Sequence, residues 1–252
     1  DEAEDHYTCW TTSQNPHVAR LVMSAFYNVA PENKLRVIAP DVGGGFGSKI
    51  YIYPEEITCL WASKKTGVPV KWVADRTESF LTDAHGRDHV TTIKMAFDAD
   101  NKITALKADT IANLGAYMSL FSSVVPTYLH AILYSGQYVI PAIHCNMRTA
   151  YTNTVPVDAY RGAGRPETTY ALERVVETAA RELGVSPAEL RRKNFIREWP
   201  YQTPVILQYD SGDYEASLDA AMKAADYDGF PERKAEAESR GKKRGIGMSC
   251  YI

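Results

Sequence analysis

Three stretches of this chain carry residue types suited to chemistry. The first is Asp41-Val42-Gly43-Gly44-Gly45-Phe46-Gly47-Ser48-Lys49, in which four of nine residues are glycine between the apolar flanks LRVIAP and IYIYP. Glycine reaches positive φ without strain and lets another molecule approach the backbone. The loop is therefore either a tight turn or a cradle of N–H groups. Phe46 favours the cradle, because a ring between glycines is costly to leave in water and projects into a cleft. The second stretch, Asp158-Ala159-Tyr160-Arg161-Gly162-Ala163-Gly164-Arg165-Pro166-Glu167, sets two arginines and two glycines just before a helix. Free N–H groups at a helix start together with guanidinium make an anion site. The other reading is a solvated loop with an ion pair to Asp158 or Glu167. The third, Thr11-Thr12-Ser13-Gln14-Asn15-Pro16-His17, is polar between a strand and a helix and reads by itself as a capping sequence.

Known phosphate loops do not fit the glycines. The dinucleotide fingerprint needs GxGxxG opening a helix directly, whereas here the next helix signal, Pro54, comes seven residues after Gly47. A Walker loop needs Gly-Lys in sequence, and Ser48 separates Gly47 from Lys49. A kinase-type loop would sit in a hairpin with its companion motifs, which are missing. A nucleotide-binding module is accordingly the weakest reading.

The elements that must position these loops are mixed. Residues 7–12 (YTCWTT) read as a strand. Asn15 as N-cap and Pro16 at the first turn open a helix to about Tyr27, with Val18, Leu21, Val22, Ala25 and Phe26 at helical spacing. Leu35–Ala39 is a buried strand. Pro54 opens a helix with Ile57, Leu60 and Trp61 inward and Gly67 past its end. Val68–Ala74 reads as a strand. Val90–Phe97 and Ile103–Ile111 form a hairpin around the turn 98–102. Residues 112–140 carry no clear assignment, and His144–Thr152 is a further strand. A helix over Glu167–Leu183 presents Leu172, Val175, Val176, Ala179 and Leu183, and Gly184 ends it. Ser186 and Glu189 form a capping box for the next helix. Residues 198–215 are loop-like, 216–240 hold one or two charged helices, and Gly245–Ile252 begins a strand. The run ERKAEAESRGKKR (232–244) is a solvated face. This order gives an α+β class, mixed sheets with packed helices.

The chain has 252 residues, 45% of them hydrophobic, enough for a sizeable core. A net charge of −3 argues for neither nucleic acid nor an acidic membrane as partner. No apolar run reaches membrane-spanning length, and no signal-peptide pattern opens at Asp1. Cys9, Cys59, Cys145 and Cys250 are far apart, which excludes CxxC zinc sites and a dense disulfide framework and predicts four free thiols. The abrupt ends, DEAED and MSCYI, give the look of an internal piece of a longer chain.

In this order and at these spacings, TTSQNPHVAR, GGGFGSK, DAHGRDH, NLGAY, TNTVPVDAYRGAGRPE, ELRRKNFI and YDSGDY resemble the molybdopterin-binding large subunit of the xanthine dehydrogenase / aldehyde oxidase family. The group is that of the bacterial carbon monoxide dehydrogenase large chains. The resemblance covers nearly the whole chain. It implies a first molybdenum-cofactor-binding lobe over residues 1–197, and a linker and helical segment over 198–252 leading into a second lobe. It implies a molybdenum hydroxylase that takes its oxygen from water, with molybdopterin cytosine dinucleotide as cofactor in the full-length subunit. Electrons would leave through a [2Fe-2S] small subunit and an FAD medium subunit, in the cytoplasm or, in some relatives, after export as a folded holoenzyme.

The resemblance also assigns roles. Gln14 would hydrogen-bond the metal centre. Gly44, Gly45, Phe46 and Gly47 would lie beside the cofactor, with Phe46 and Ile50 lining the substrate pocket. Arg161 would stabilise negative charge on the substrate, and Gly162, Ala163 and Gly164 would form a cofactor-facing turn. No side chain of this chain is expected to bind the metal directly. Two departures narrow the chemistry. Purine-oxidising relatives carry a glutamate where this chain has Ile50, which argues against purines. Carbon monoxide dehydrogenases carry a Cys-Ser-Phe loop, whose cysteine holds copper, where this chain has Gly162-Ala163-Gly164. That argues against carbon monoxide and for an aldehyde or an N-heterocycle. The family's general-base glutamate lies beyond residue 252, so the chain alone is expected to be inactive. The competing reading is a cofactor-free structural or assembly half of a split subunit.

Overall fold

A computed structural model describes residues 5–252; residues 1–4, where the signal-peptide reading begins, lie outside it. The chain forms two compact units interleaved in sequence. One comprises the described residues through His89 with Ala112–Tyr128 and Thr149–Gly164. The other comprises Val90–Ile111, Leu129–Arg148 and Arg165–Ile252. The α+β class holds: seven α-helices accompany two small ladders and a three-stranded sheet among the described residues.

In the first unit, β1 (Tyr7–Trp10) and β2 (Leu35–Ile38) pair in parallel, Tyr7 opposite Leu35 and Trp10 opposite Ile38. Parallel strands need a crossover, and α1 (Pro16–Ala25) supplies it. Asn15 caps it as its sequence predicts: Oδ1 accepts from the Val18 N–H at 3.4 Å, with Pro16 in the first turn. Ala19 and Met23 of α1 are fully buried, and Met23 packs with Cys9, Leu35 and Leu60.

α2 (Pro54–Thr66) starts with Glu56 reaching back to the Tyr53 N–H at 2.9 Å and stops at left-handed Gly67. Leu60 turns inward, but Trp61 does not: it is 58% exposed and lies under the Lys65 ammonium. Residues 68–74 join no ladder. An open cleft of about 1010 Å³, lined by Trp10, Tyr53, Cys59 and Trp72, lies between this segment and β1, so its backbone has no strand to pair with. α3 (Arg76–Thr82) follows, capped by Asp75.

β3 (His89–Phe97) and β4 (Ile103–Gly115), whose stretches Val90–Phe97 and Ile103–Ile111 belong to the second unit, form the expected hairpin, with β5 (Ile143–Tyr151) on the other side of β4. Asp98 Oδ1 closes the turn by accepting from the N–H groups of Asp100 and Lys102. Helix α4 (Arg165–Leu183) packs Leu172, Val176 and Ala180 into a core with Leu106, Tyr138, Ile140 and Phe195. Leu183 is 41% exposed, contrary to the periodicity reading. The buried stripe steps by four through Thr168, Leu172, Val176 and Ala180, and Leu183 falls short of the next step.

In α5 (Pro187–Asn194) the Ser186 side chain makes no cap bond, and Glu189 pairs with Arg192 at 3.5 Å instead of closing a box. The loop-like stretch after residue 198 holds a two-residue antiparallel ladder, β6 (Tyr201–Gln202) with β7 (Gln208–Tyr209). Two charged helices follow, α6 (Tyr214–Ala224) and α7 (Phe230–Ser239). Residues 245–252 form no strand. They are held by Arg191, which donates to the Met248 carbonyl at 3.3 Å, and by Glu173, which accepts from the Cys250 N–H at 2.8 Å.

Candidate cofactor site

Parallel strands deliver their following loops to one end, which is where α/β folds place ligands. Here β1 leads into Thr11–Asn15 and β2 into Pro40–Lys49, and the Thr11 N–H still bonds the Ile38 carbonyl at 3.0 Å. The Gln14 N–H donates to the Lys49 carbonyl at 2.8 Å, and its side-chain Oε1 accepts from the Gly47 N–H at 2.8 Å. A backbone donor can be met only by the amide oxygen, so the orientation of the Gln14 amide is fixed and its NH₂ points elsewhere. Among the described residues that NH₂ has no partner. A Cβ at Gly45 would collide with the Gln14 side chain; glycine is required there for close approach. Lys49 Nζ closes the loop on the Val42 carbonyl at 2.9 Å, and the Tyr53 hydroxyl donates to the Ser48 carbonyl at 2.7 Å. Phe46 stands in the left-handed region at φ 55° with half its surface exposed, a conformation uncommon outside glycine, asparagine and aspartate. Ile50, one turn on, is half-buried.

The second loop docks onto the first. A Cβ on Gly47 would lie 2.6 Å from the Ala159 carbonyl oxygen, so the two backbones touch there. The Tyr51 hydroxyl donates to the same carbonyl at 3.1 Å; burial, with Tyr53 nearby, pushes its phenol far up, which keeps it a donor. The Asp158 carboxylate is fully buried and accepts from the Phe121 N–H at 2.9 Å and from the hydroxyls of Ser119 and Ser122. It is satisfied by neutral donors rather than by an arginine. Beyond Ala159 the chain turns outward: Tyr160, Arg161 and Gly162 are exposed, and Gly162, Ala163 and Gly164 all have positive φ (100°, 40° and 92°). The Arg161 guanidinium has no hydrogen bond or ion pair among the described residues.

The structure thus brings Gln14, Gly45 and Gly47 into contact and seats the Ala159–Gly164 loop against Gly47. Gly44 and Phe46 border the same turn, where a Cβ on Gly44 would strike the Phe46 ring. Sequence reasoning gave no role to Tyr51, Lys49 or the segment Ala84–Asp88, and offered Asp158 only as an ion-pair partner, where the structure gives it neutral donors instead. That segment pairs with the second loop: His85 bridges to Val157, and the Arg87 side chain donates to the Arg161 carbonyl. Its legible signal was DAHGRDH itself, which repeats none of the local helix or strand periodicities. Among the described residues no three His, Cys, Asp or Glu side chains converge. The arrangement offers backbone N–H groups, the free NH₂ of one carboxamide and one uncommitted guanidinium. That donor set, on a surface where an added Cβ would collide with the loop's own parts, suits a polar anionic organic group lying against bare backbone. It fits a pterin-type cofactor.

Residues 1–195 match the molybdopterin cofactor-binding domain family. The chain is 36% identical over 251 residues to the nicotine 6-hydroxylase large subunit of Paenarthrobacter nicotinovorans, covering 99% of this chain and 31% of that one. It is 40% identical over 247 residues to the carbon monoxide dehydrogenase large chain of Hydrogenophaga pseudoflava, covering 95% and 30%. The crystal structure of quinoline 2-oxidoreductase from Pseudomonas putida 86 superposes with a TM-score of 0.91 at 32% identity, over 96% of this chain and 31% of that one. The chain therefore spans about a third of the length of these relatives. By the family match and by these likenesses, it belongs to the molybdopterin cofactor-binding family of xanthine dehydrogenase-type large subunits.

Proposed function

We propose that this chain is the first cofactor-holding lobe, over residues 1–197, of a molybdenum hydroxylase catalytic subunit, with residues 198–252 leading into the second. The whole subunit oxidatively hydroxylates an aldehyde or an N-heterocycle. The observation that carries the reading is the Gln14 amide, fixed by the Gly47 N–H, beside a glycine loop that is packed directly on the Ala159–Gly164 loop. When bound, molybdopterin cytosine dinucleotide supplies the two-electron oxidation and the activation of water. The chain's own residues do the rest. Gln14 presents a neutral donor that orients without adding charge. Gly44, Gly45, Gly47 and the Gly162-Ala163-Gly164 turn offer backbone to the cofactor. Phe46 and Ile50 wall the pocket against water. Arg161 faces developing negative charge on the substrate, a preorganised cation of the kind that contributes most when solvent is excluded.

Nicotine and quinoline appear in the names of relatives, and Ile50 and the cysteine-free Gly162–Gly164 turn favour such substrates over purines and carbon monoxide. Electrons pass to [2Fe-2S] and FAD partner subunits in the cytoplasm. The test is metal analysis of the full-length subunit purified with its partners, followed by turnover of nicotine, quinoline, benzaldehyde and hypoxanthine with a dye acceptor. Near-stoichiometric molybdenum without copper, with turnover of a heterocycle or aldehyde, is expected. Stoichiometric copper, or hypoxanthine as the best substrate, would overturn the substrate assignment. Absence of molybdenum would overturn the reading itself.

A further inference from the structure

We infer that Arg87 is a positioning residue for Arg161, fixing the outward part of the Ala159–Gly164 loop; this rests on the role proposed for Arg161. The segment before Arg87 is anchored stepwise to the strand-like stretch before Arg161. The His85 N–H donates to the Pro156 carbonyl at 3.1 Å, and the Asp158 N–H donates to the His85 carbonyl at 2.8 Å. Gly86 then meets Tyr160 so closely that a Cβ would lie 2.8 Å from the tyrosine Cβ. Arg87 completes the series. Its Nη2 donates to the Arg161 carbonyl, and its guanidinium lies 5.5 Å over the Tyr160 ring.

One guanidinium therefore holds two successive residues of the loop, by a hydrogen bond to the carbonyl of one and by its charge over the ring of the other. Lysine, a compact charge on a flexible stem, spans the two contacts less well than the broad, preorganised guanidinium. The need is local. Asp158 and Ala159 are buried and bonded, but three consecutive positive-φ residues follow Arg161. Among the described residues, the side-chain hydrogen bond into residues 160–162 comes from Arg87. Arg87 itself adopts φ 66°, a strained state for arginine that persists only where surrounding contacts impose it.

The test uses the full-length holoenzyme with its partner subunits and the variants Arg87→Ala, Arg87→Lys, Arg161→Lys and the double variant Arg87→Ala/Arg161→Lys. Amide hydrogen exchange is read by mass spectrometry on peptides covering 158–165, 41–52 and 165–183. For Arg87→Ala, exchange in 158–165 is expected to rise about tenfold or more while the other two peptides stay unchanged, with a smaller rise for Arg87→Lys. For turnover of quinoline or benzaldehyde, kcat/KM is expected to fall by up to about 100-fold, the penalty for a misplacement of an ångström. Because Arg87 acts through Arg161, its removal in the Arg161→Lys background costs less than about threefold further. Unchanged exchange in 158–165, or losses that multiply in the double variant, would overturn the inference. If Arg87→Ala fails to fold, the exchange of Arg87→Lys decides. If Arg161→Lys leaves turnover intact, it is the role of Arg161 in the proposed function that falls, and the exchange result still decides what Arg87 does.

Discussion

Gly47 works at two interfaces at once: its N–H holds the Gln14 amide and its missing side chain admits the Ala159 carbonyl. Alanine there meets a backbone oxygen that cannot swing away, at φ 89°. The left-handed conformation alone costs about 1–2 kcal/mol, so Gly47→Ala should lower unfolding free energy by at least that much. Denaturant titration checks it, and an unchanged midpoint would show that the loops do not touch. A second residue-scale test concerns Glu56. Burial raises its carboxyl above the usual value of 4.5, against the lowering influence of the Thr11 hydroxyl and the Tyr53 N–H. The folded state then binds the proton more tightly than the unfolded one. The contribution of Glu56 is greatest below pH 4.5 and is lost as pH rises through the raised folded value. Glu56→Gln removes the titration and retains both contacts, its amide oxygen accepting from the Tyr53 N–H and its NH₂ donating to the Thr11 hydroxyl, which reverses that bond. It should stabilise the fold at pH 7 relative to the wild type and do little at pH 4, and a pH-independent effect in urea titrations would refute this. The glycine pattern was legible because chains give up side chains for few reasons. The Gln14–Gly47 bond was not, since no periodicity links residues 33 apart.

At the scale of elements, signals that act within one turn were read well and signals that need a partner were not. Asn15-Pro16 marked α1 and Gly67 marked the end of α2, because caps and left-handed stops are satisfied locally. Residues 68–74 have the composition of a strand, but a strand exists only where another backbone completes the ladder, and the cleft beside β1 leaves them unpaired. α3 was missed although Asp75 and Glu78 bond each other's N–H groups at 2.7 and 2.9 Å. Seven residues give too few repeats for a period to show. Ser186-Pro-Ala-Glu189 had the same spacing and formed no box, since Glu189 had Arg192 to meet. Asp75→Ala should weaken α3 by about 1 kcal/mol, visible as faster amide exchange over residues 76–82 while the amides of α2 keep their rates.

For the molecule as a whole, no composition shift marks the two interleaved units, because each is assembled from distant pieces of chain. The same holds for its most buried charge. LRRKNF reads as a basic helix, yet Arg191 is completely buried while Arg192 beside it is partly exposed. Arg191 meets Glu173 at 3.0 Å and Glu177 at 3.3 Å, and Glu173 also receives the Tyr138 hydroxyl. These contacts join α4, α5 and the last residues of the chain. Arg191→Met leaves the Glu173 carboxylate without its cation, a change of about 3–5 kcal/mol. Thermal unfolding should fall accordingly, and Glu173→Gln in the same background should recover part of the loss. Burial also raises the thiols of Cys9, Cys145 and Cys250 to about 11. Alkylation of the native chain at these three positions should therefore be slow at pH 8 and quicken as pH approaches 11. Fast labelling at pH 8 would place them in a more open structure than this one.

The left-handed backbone at Phe46 sets the vocabulary available to anyone who would redesign the substrate pocket proposed for it. At φ 55° a side chain branched at Cβ clashes with its own backbone, while asparagine, aspartate and glycine sit there with ease. A saturation library at this codon should lose valine, isoleucine and threonine among folded clones, whatever substrate is used for selection. Altered selectivity would have to be sought among unbranched aromatic and polar replacements, or at Ile50.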